Sequence, residues 1–595
     1  MNSLKKSVSA GKYFKIAITL LSLPASTASI AEQRLEFTVN NVYITQSTQN
    51  YERSISLIEG RRGLLRVFVQ ATKTNNARPK VFVKLLNNGT IADEFYIEPD
   101  PSLKGVPTPE EFNQDNYTQS YNKEIPAERI KKGLQIQVVV DPSGEIVNCT
   151  ITQPCKNRYW PRDNIPPEGD WPRSEQNLIT ERVVTVPDMK VEIVPISFTL
   201  PTSPPEPAKK STPPAIDLSY AKSSTDHVLH MHPVKDSIET SLHEVLNVPF
   251  YVTQTPDKLD TWNRLLGVLS ATAKIENKVF THYVGALNPI HWDFDKDIRF
   301  GWGETPGYSS FAVHIPPSIT PIKNPEGVDL FTATMAHEIG HNFSLGHVNC
   351  NTPEGNIRVS GYNVWTKKIF DKNLGSVMGY CDNRWISDLQ YSQALTWRTK
   401  NYGSTSETTI KTEKRSPPQE TVMLIWGLEQ NDNVQLGSPI YLMSIPTKSH
   451  PQGTYRVEVF NHDGNTNSVN FTPSVTDDKK ANTFAVLVPS TRETTEIRMY
   501  KNGNLIFKKS KDRTPIPTIK RSITAPKLVR KSAEDIQFTW DSKEYPTAFV
   551  QNAETGQLIS ISEGGKSIIK STILRRATIH LSDGFDSRDQ EILVE

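Results

Sequence analysis

Residues 328–347 read VDLFTATMAHEIGHNFSLGH, and this stretch indicates the structure of the middle of the chain. Its apolar residues recur at the spacing of an amphipathic helix, and Asp329 stands where an N-cap side chain accepts a backbone N–H. The pattern predicts a helix that begins after Asp329 and stops between Leu345 and Gly346. Glycine suits that end, because a left-handed C-terminal cap costs it little strain.

The same stretch carries a metal-ligand pattern. His337 and His341 are four residues apart, so a helix places both imidazoles on one face. Such a pair can bind one Zn²⁺ ion, and His347 supplies a third ligand if the chain turns back after the helix. Glu338 lies beside the first histidine and is suited to act as general base on water. We therefore predict one catalytic zinc ion.

The motif HEIGHNFSLGH, followed by SVMGY at residues 376–380, resembles the metzincin clan of zinc endopeptidases. The resemblance implies a methionine turn under the zinc site, with Met378 as its methionine. It also implies that Tyr380 ligates zinc or donates to the tetrahedral intermediate; a packing role for this ring is the alternative. The segments LLRVF (64–68), VEIVPI (191–196) and CDNRWISD (381–388) are similar to large exported bacterial reprolysin-like proteases.

Two residues depart from the clan pattern. Ser344 stands where the clan has glycine, and serine is strained there by about 1–2 kcal/mol if its φ is positive. We expect the bend to shift toward Gly346 and activity to be retained. Val348 follows the third histidine, where several subfamilies carry a charged residue or proline, so the subfamily stays open.

The chain of 595 residues is long enough for three to five domains. Short β-like runs bounded by Asn, Gly, Pro and Asp flank the helical centre. We expect a metzincin-like α/β catalytic module flanked by all-β, immunoglobulin-like sandwich domains. The expected boundaries are a signal peptide (1–31), an N-terminal β-sandwich (32–200), a Pro-rich linker (201–216), the catalytic domain (217–400), a linker (401–420), a β-sandwich (421–515) and a C-terminal β-sandwich (516–595).

The N-terminus has the pattern of an export signal. Lysines at positions 5, 6, 12 and 15 precede the apolar residues 16–23, and small residues follow. We expect a secreted, extracellular protein, with the periplasm as the other location. No other stretch has membrane-spanning length, so we expect no membrane span. The net charge of +2 indicates no nucleic-acid partner.

The chain has four cysteines. In an oxidising compartment we expect two local disulfides, Cys149–Cys155 and Cys350–Cys381. In an alternative interpretation, Cys149 or Cys155 is a latency thiol that binds the zinc.

Three other patterns in the sequence are weaker. His227, His230 and His232 lack a spacing that forms one site, which favours structural roles. An acidic run imitates the ligand positions of a calcium loop but has Ile298 where that loop needs glycine, so calcium is only weakly supported. That run consists of Asp293, Asp295, Asp297 and Glu304. Residues 310–315 could be an edge strand to which an extended substrate adds, or a buried strand of the sheet, and the two interpretations are not exclusive.

The sequence thus predicts a secreted zinc-dependent endopeptidase that hydrolyses protein or glycoprotein substrates. The alternative is a secreted β-sandwich binding protein or adhesin with an inert or structural zinc module. The intact Glu338 argues for the enzyme, because a structural zinc has no use for a base. The sequence does not fix the oligomeric state.

Overall fold

The computed structural model describes residues 34–147, 155, 158–161, 179–201, 209–254, 260–278, 280–293, 299–315, 328–350, 352–381, 384–403, 419–511 and 525–595. Several expectations fall on other residues: the signal peptide, residues 202–208 of the first linker, residues 404–418 of the second linker, Cys149 with its expected disulfide, and Asp295 and Asp297 of the calcium-like run.

The described residues form thirty-five strands and four α-helices. The N-terminal strands are β1 (Phe37–Thr45), β2 (Leu57–Ile58), β3 (Gly63–Ala71), β4 (Val81–Asn87), β5 (Thr90–Ile97), β6 (Ser120–Ile125), β7 (Leu134–Val140), β8 (Tyr159–Trp160) and β9 (Val183–Val184). The central elements are β10 (Met189–Phe198), α1 (Leu218–Met231), β11 (Ile238–Leu242), β12 (Leu246–Val248), α2 (Asp260–Ile275), β13 (Thr281–Leu287), β14 (Gly301–Thr305), β15 (Ser309–Val313), α3 (Leu330–Asn342), β16 (Gly361–Asn363), β17 (Lys368–Phe370), β18 (Gly375–Ser376), β19 (Arg384–Trp385) and α4 (Asp388–Gly403). The C-terminal strands are β20 (Glu420–Gln430), β21 (Asn433–Leu436), β22 (Ile440–Ser444), β23 (Tyr455–Asn461), β24 (Thr466–Phe471), β25 (Ser474–Thr476), β26 (Asn482–Pro489), β27 (Thr494–Lys501), β28 (Asn504–Ser510), β29 (Lys527–Arg530), β30 (Asp535–Thr539), β31 (Thr547–Asn552), β32 (Leu558–Glu563), β33 (Lys566–Lys570), β34 (Arg576–Ser582) and β35 (Ser587–Leu593).

Three parallel strands form the centre of the largest sheet. β13 lies between β10 and β15 and pairs with both in parallel. Every residue of β13 and β15 is buried, as expected of parallel strands covered on both faces. Their sequences, THYVGAL and SSFAV, are accordingly apolar or small with little alternation of polarity.

Helices cover both faces of this centre. On one face, α1 and α3 share a core with Ile193 and Ala286. On the other face, α2 packs on Ile196 and Leu287, and the same core includes Leu424 from β20. The helix α2 therefore lies between the sheet centre and a strand from the C-terminal region.

The expected fold class is wrong. We expected a metzincin-like α/β catalytic module flanked by separate all-β, immunoglobulin-like sandwich domains, but one sheet of fifteen strands runs through the central and C-terminal regions. Strands make up 43% and helices 14% of the described residues, so β-sheet dominates. The backbone N–H and C=O groups at the edges of β14 and β12 need hydrogen-bond partners. β25 pairs with β14 and β32 pairs with β12, so the sheet continues into the C-terminal region.

The N-terminal strands form two sheets around their own core. One sheet has the order β1-β3-β6 and the other β5-β4-β7-β8. Val67 and Val83 are fully buried between them. β10, which we had placed at the end of this region, instead lies in the large sheet beside β11, β12 and β13.

Within the part of the chain that the structure describes, no helix is long and apolar enough to cross a membrane.

Candidate metal centre and catalytic site

The helix α3 carries the candidate site, and its start is as predicted. Asp329 is the N-cap, and its side chain accepts the N–H of Thr332 at 3.0 Å. The hydroxyl of Tyr220 donates to the same carboxylate at 2.9 Å. The helix therefore begins at a fixed point, about two turns before His337.

The end of α3 differs from the prediction. The helix ends at Asn342, and Ser344 has a φ of +72°, whereas Gly346 is not among the positive-φ residues. The N–H of Ser344 donates to the carbonyl of His341, and the N–H of Leu345 donates to that of Gly340, at 2.8 and 3.0 Å. This pair of bonds is a Schellman motif, with serine in the left-handed position that usually takes glycine. The expected stop at Gly346 was wrong, and the chain turns back two residues earlier.

The early turn brings the three predicted zinc ligands together. The Nε2 atoms of His337 and His341 lie 3.1 and 3.0 Å from the Nε2 atom of His347. His337 and His341 are buried, whereas His347 is exposed. Three ring nitrogens thus converge on one point that is accessible from one side.

Backbone carbonyls fix the orientation of two of these rings. The Nδ1 atom of His337 lies 2.8 Å from the carbonyl oxygen of Val377, and that of His341 lies 2.8 Å from the carbonyl of Leu345. Because a carbonyl oxygen only accepts, both Nδ1 atoms carry the proton and both Nε2 atoms present a lone pair. The lone pairs point at a common centre, an arrangement that a cation stabilises.

The residues present fit a zinc ion. Nitrogen ligands at about 2.0–2.1 Å in a tetrahedron lie roughly 3.3–3.4 Å apart, close to the separations observed here. Burial lowers the pKa of His337 well below its usual value, with a further contribution from His341. Burial, then His347, lowers the pKa of His341 to about 3. Both rings are therefore neutral near pH 7, as a metal ligand must be.

Met378 lies directly beneath the helix. It is fully buried, and a Cβ on Gly340 would collide with its sulfur atom. The absence of a side chain at Gly340 thus allows this close packing. The carbonyl of Met378 accepts the N–H of Val348 at 3.2 Å, which ties the segment after His347 to this turn.

The predicted disulfide between Cys350 and Cys381 is confirmed, with the two Cα atoms 5.6 Å apart. It links the segment that follows His347 to the segment that follows Tyr380. Covalent closure therefore holds the third histidine and the tyrosine on one short loop system.

The carboxylate of Glu338 lies near His341, with ligand atoms of the two side chains within 4.8 Å of each other. Its side chain is 3% exposed, and its Oε2 atom has no hydrogen-bond partner among the described residues. Desolvation, followed by the charge of Asp477, raises the pKa of Glu338 well above its usual value, while Arg299 and Arg384 oppose the shift.

Two glycines of β14 make room for this carboxylate. A Cβ on Gly303 would lie 2.9 Å from Oε2 of Glu338, and one on Gly301 would collide with Oε1. Trp302 between them points into the core on the other face of the sheet. The sequence GWG at 301–303 was a missed signal: small residues that alternate with a large one indicate close approach on one face.

Tyr380 lies at the open side of the cluster. Tyr380 is 68% exposed to solvent, but its hydroxyl is turned inward and lies 3.0 Å from Nε2 of His347. Desolvation and then the charge of Glu338 raise its pKa to about 12, so the hydroxyl keeps its proton. An exposed ring contributes little packing, which favours the functional interpretation over the structural one.

No pattern in the sequence indicates Asp477 as a site residue. This residue follows β25, and its ligand atoms lie within 4.8 Å of those of Glu338 and His341. Its N–H donates to the carbonyl of Gly303 at 3.1 Å. Only the pairing of β25 with β14 brings it here, and no local pattern in the sequence encodes that pairing.

The weaker patterns lead elsewhere. His232 is fully buried, with Nε2 2.9 Å from the carbonyl of Ala336, and His230 stacks on Trp365. Glu304 does not face a cation, because its carboxylate accepts four hydrogen bonds. Their donors are two hydroxyls and two backbone N–H groups, from Ser270, Thr483, Tyr308 and Ser309.

The substrate-edge interpretation of residues 310–315 is wrong. β15 pairs with β13 on one side and β14 on the other, so Ser310, Phe311 and their neighbours have no free edge. The alternative interpretation, a buried strand of the sheet, is correct.

No protein-family model matches this chain. No curated protein matches it. Solved structures with some likeness include a β-glucuronidase of Parabacteroides merdae, at 7% identity over 94% of this chain and 78% of that chain, with a TM-score of 0.13. A β-glycosidase from Bacteroides vulgatus gives 8% identity over 94% and 79%, also with a TM-score of 0.13. TM-scores this low carry no argument about fold or function.

Proposed function

We propose that the chain is a secreted zinc-dependent endopeptidase in which His337, His341 and His347 hold the metal and Glu338 is the general base. The observation that carries the proposal is the convergence of three histidine Nε2 atoms, two of them with the Nδ1 proton committed to a carbonyl. A purely structural zinc site closes its fourth position with a protein ligand. Here the remaining side is lined by the exposed His347 and Tyr380.

Each residue has a distinct task in this proposal. Bound zinc supplies Lewis-acid chemistry, which acidifies water and polarises a carbonyl group. Glu338 accepts a proton from the attacking water and returns it to the leaving amine. This exchange needs a carboxylate oxygen that no other donor occupies. The unpartnered Oε2 of Glu338 is available for it.

Tyr380 is the proposed donor to the negative charge that develops on the substrate oxygen. Its hydroxyl is held at the histidine cluster, keeps its proton at neutral pH and faces the open side. A donor placed where charge develops contributes more to the transition state than to the bound substrate. We assign Tyr380 to stabilisation of the oxyanion.

Peptide bonds are the proposed substrate because of the motif's resemblance to the metzincin clan, and protein or glycoprotein chains are the proposed class. The resemblance concerns the ligand motif and the methionine segment. The β-rich architecture around the site is equally compatible with a binding protein, which is the alternative function.

The test uses Glu338→Gln, His347→Ala and the exposed His450→Ala as a control. The purified full chain should hold one tightly bound zinc and hydrolyse an unstructured protein such as casein, with loss of hydrolysis on chelation. Glu338→Gln should keep that zinc and lose nearly all turnover, because it removes the base and no ligand of the three-histidine set. His347→Ala should lose both, and His450→Ala neither.

Two results would contradict the proposal. Near-normal hydrolysis by Glu338→Gln excludes the assigned base. A wild-type chain that binds zinc tightly but hydrolyses no protein under any condition supports the inert-module alternative.

A further inference from the structure

A turn from the C-terminal region reaches the candidate site. β25 pairs with β14 in the register Glu304↔Thr476, and the next residue, Asp477, donates its N–H to Gly303. The strand pairing therefore fixes the Asp477 backbone against the strand that lines Glu338. Its position beside Glu338 follows from the sheet and not from a long side chain reaching across.

Two buried carboxylate oxygens face this junction without a partner. Asp477 is 7% and Glu338 3% exposed. Oδ1 of Asp477 and Oε2 of Glu338 have no hydrogen-bond partner among the described residues. Leaving carboxylate oxygens buried and unpaired is costly, and a shared cation removes that cost. With His341, the two side chains offer ligand atoms within 4.8 Å of one another.

We propose that Glu338 and Asp477 form a second divalent-cation site beside the three-histidine site, with His341 as a ligand that either site can use. The donor set of two carboxylates and one imidazole suits Zn²⁺. It does not suit Ca²⁺, which takes six to eight oxygen ligands. Arg299 acts on both carboxylates with its positive charge, which opposes cation binding there. With His341 engaged by the first ion, the second ion has two protein ligands against three, so it binds more weakly than the first.

The two sites are linked through His341. Its Nδ1 proton is committed to Leu345, so its single Nε2 lone pair serves one ion at a time. With the three-histidine site filled, the second ion is held by the two carboxylates and water. With that site disrupted, His341 completes the second set. Occupation of the second site also makes Glu338 a ligand, so excess Zn²⁺ opposes any reaction that uses Glu338 as base.

The inference stands on the two carboxylates and does not require peptidase activity. The experiment is a Zn²⁺ titration of the metal-free full chain by equilibrium dialysis, with bound metal counted by elemental mass spectrometry. The wild type should bind two ions in two steps. Asp477→Asn and, independently, Glu338→Gln should each keep the tighter ion and weaken the second by at least about tenfold.

A second arm separates this site from the three-histidine site. The double variant His337→Ala/His347→Ala should bind one ion, and adding Asp477→Asn should abolish that binding. Asp478→Asn is the matched control, because Oδ1 of Asp478 already accepts from Thr476 and Lys480. It should bind both ions. Circular dichroism of each variant checks that the fold is kept.

The proposal is overturned if wild type and Asp477→Asn bind the same number of ions with the same affinities. It is also overturned if Asp478→Asn loses the second ion as fully as Asp477→Asn, since general acidity of the turn would then explain the binding. If the wild type shows the Asp477-dependent ion but hydrolyses no protein with only the tighter ion bound, the zinc-peptidase function is refuted and this site stands.

Discussion

Ser344 offers a sharp test of how the site is built, because a side chain occupies a backbone position that favours glycine. Its φ of +72° lies in the left-handed region, and it is the residue at which the chain leaves α3 toward His347. The change is Ser344→Gly. Removing the Cβ relieves the strain and leaves both bonds of the Schellman motif in place.

The expected gain follows from two opposed contributions. A non-glycine residue in the left-handed region is strained by about 1–2 kcal/mol. Glycine lowers the stability of the folded chain by roughly 0.4–1 kcal/mol, because it increases the entropy of the unfolded chain. The net stabilisation is about 1 kcal/mol, which is roughly fivefold in the equilibrium for local opening of the turn.

Hydrogen–deuterium exchange of a peptide covering residues 339–347 measures this opening directly. Exchange of the Ser344 and Leu345 amides should slow about fivefold in Ser344→Gly when opening is at equilibrium. Gly346→Ala is the matched control two residues on. Gly346 does not have a positive φ and a Cβ there meets nothing within 4 Å, so exchange should be unchanged or slower.

The opposite pattern would refute the assignment of the bend. If Ser344→Gly leaves exchange unchanged or faster while Gly346→Ala accelerates it, the left-handed residue is Gly346. Ser344→Ala refines the result, because it keeps the Cβ and should therefore keep the strain.

Two further predictions concern the loop system around the third histidine. Tyr380→Phe should lower kcat by roughly tenfold to a thousandfold, because it removes a hydrogen-bond donor to the transition state. KM, zinc content and Tm should change little, since the ring is largely exposed. An unchanged kcat in steady-state assays would remove Tyr380 from the mechanism. Replacing both Cys350 and Cys381 by serine should lower the free energy of unfolding by about 3–4 kcal/mol, because the sequence separation of 31 sets the loop entropy of the unfolded chain. Denaturant titration measures this loss against the oxidised wild type. As a control, the serine variant and the reduced wild type should have the same free energy of unfolding.

The parts of the site that the sequence revealed are local. The N-cap Asp329 acts on a residue three positions on, and His337 and His341 are one helical turn apart. Such relations depend only on helix geometry, so the residue types and their spacing contain them. The confirmed disulfide is similar, since both cysteines flank one compact segment.

The end of α3 shows where local preference fails. Glycine propensity favoured Gly346, but the carbonyl of Leu345 is held by His341, and Val348 is tied to Met378. These contacts fix where the chain must turn back, and the turn falls on Ser344. Tertiary contacts thus override the intrinsic preference of the residue, which is the usual reason that helix boundaries resist sequence-based prediction.

The fold class failed for a related reason. Nothing local in the short segment 474–476 indicates that it will pair with β14, yet this pairing extends the sheet and brings Asp477 to Glu338. Strand partners distant in sequence are set by which edges remain unpaired once the rest has folded. Asp477 is remote from the histidine motif in sequence, and no local pattern could have indicated it.

The same continuity decides how the N-terminal region relates to the site. Arg61 is fully buried and donates to the carbonyls of Leu229 and His232 at the end of α1. The carbonyl of Ser47 accepts from Trp385, close to the methionine segment. A cut near residue 200 that released everything before it would remove β10 from between β13 and its other parallel partners, and would leave α1 with unpaired buried carbonyls. The N-terminal region therefore contributes hydrogen bonds to the scaffold of the site.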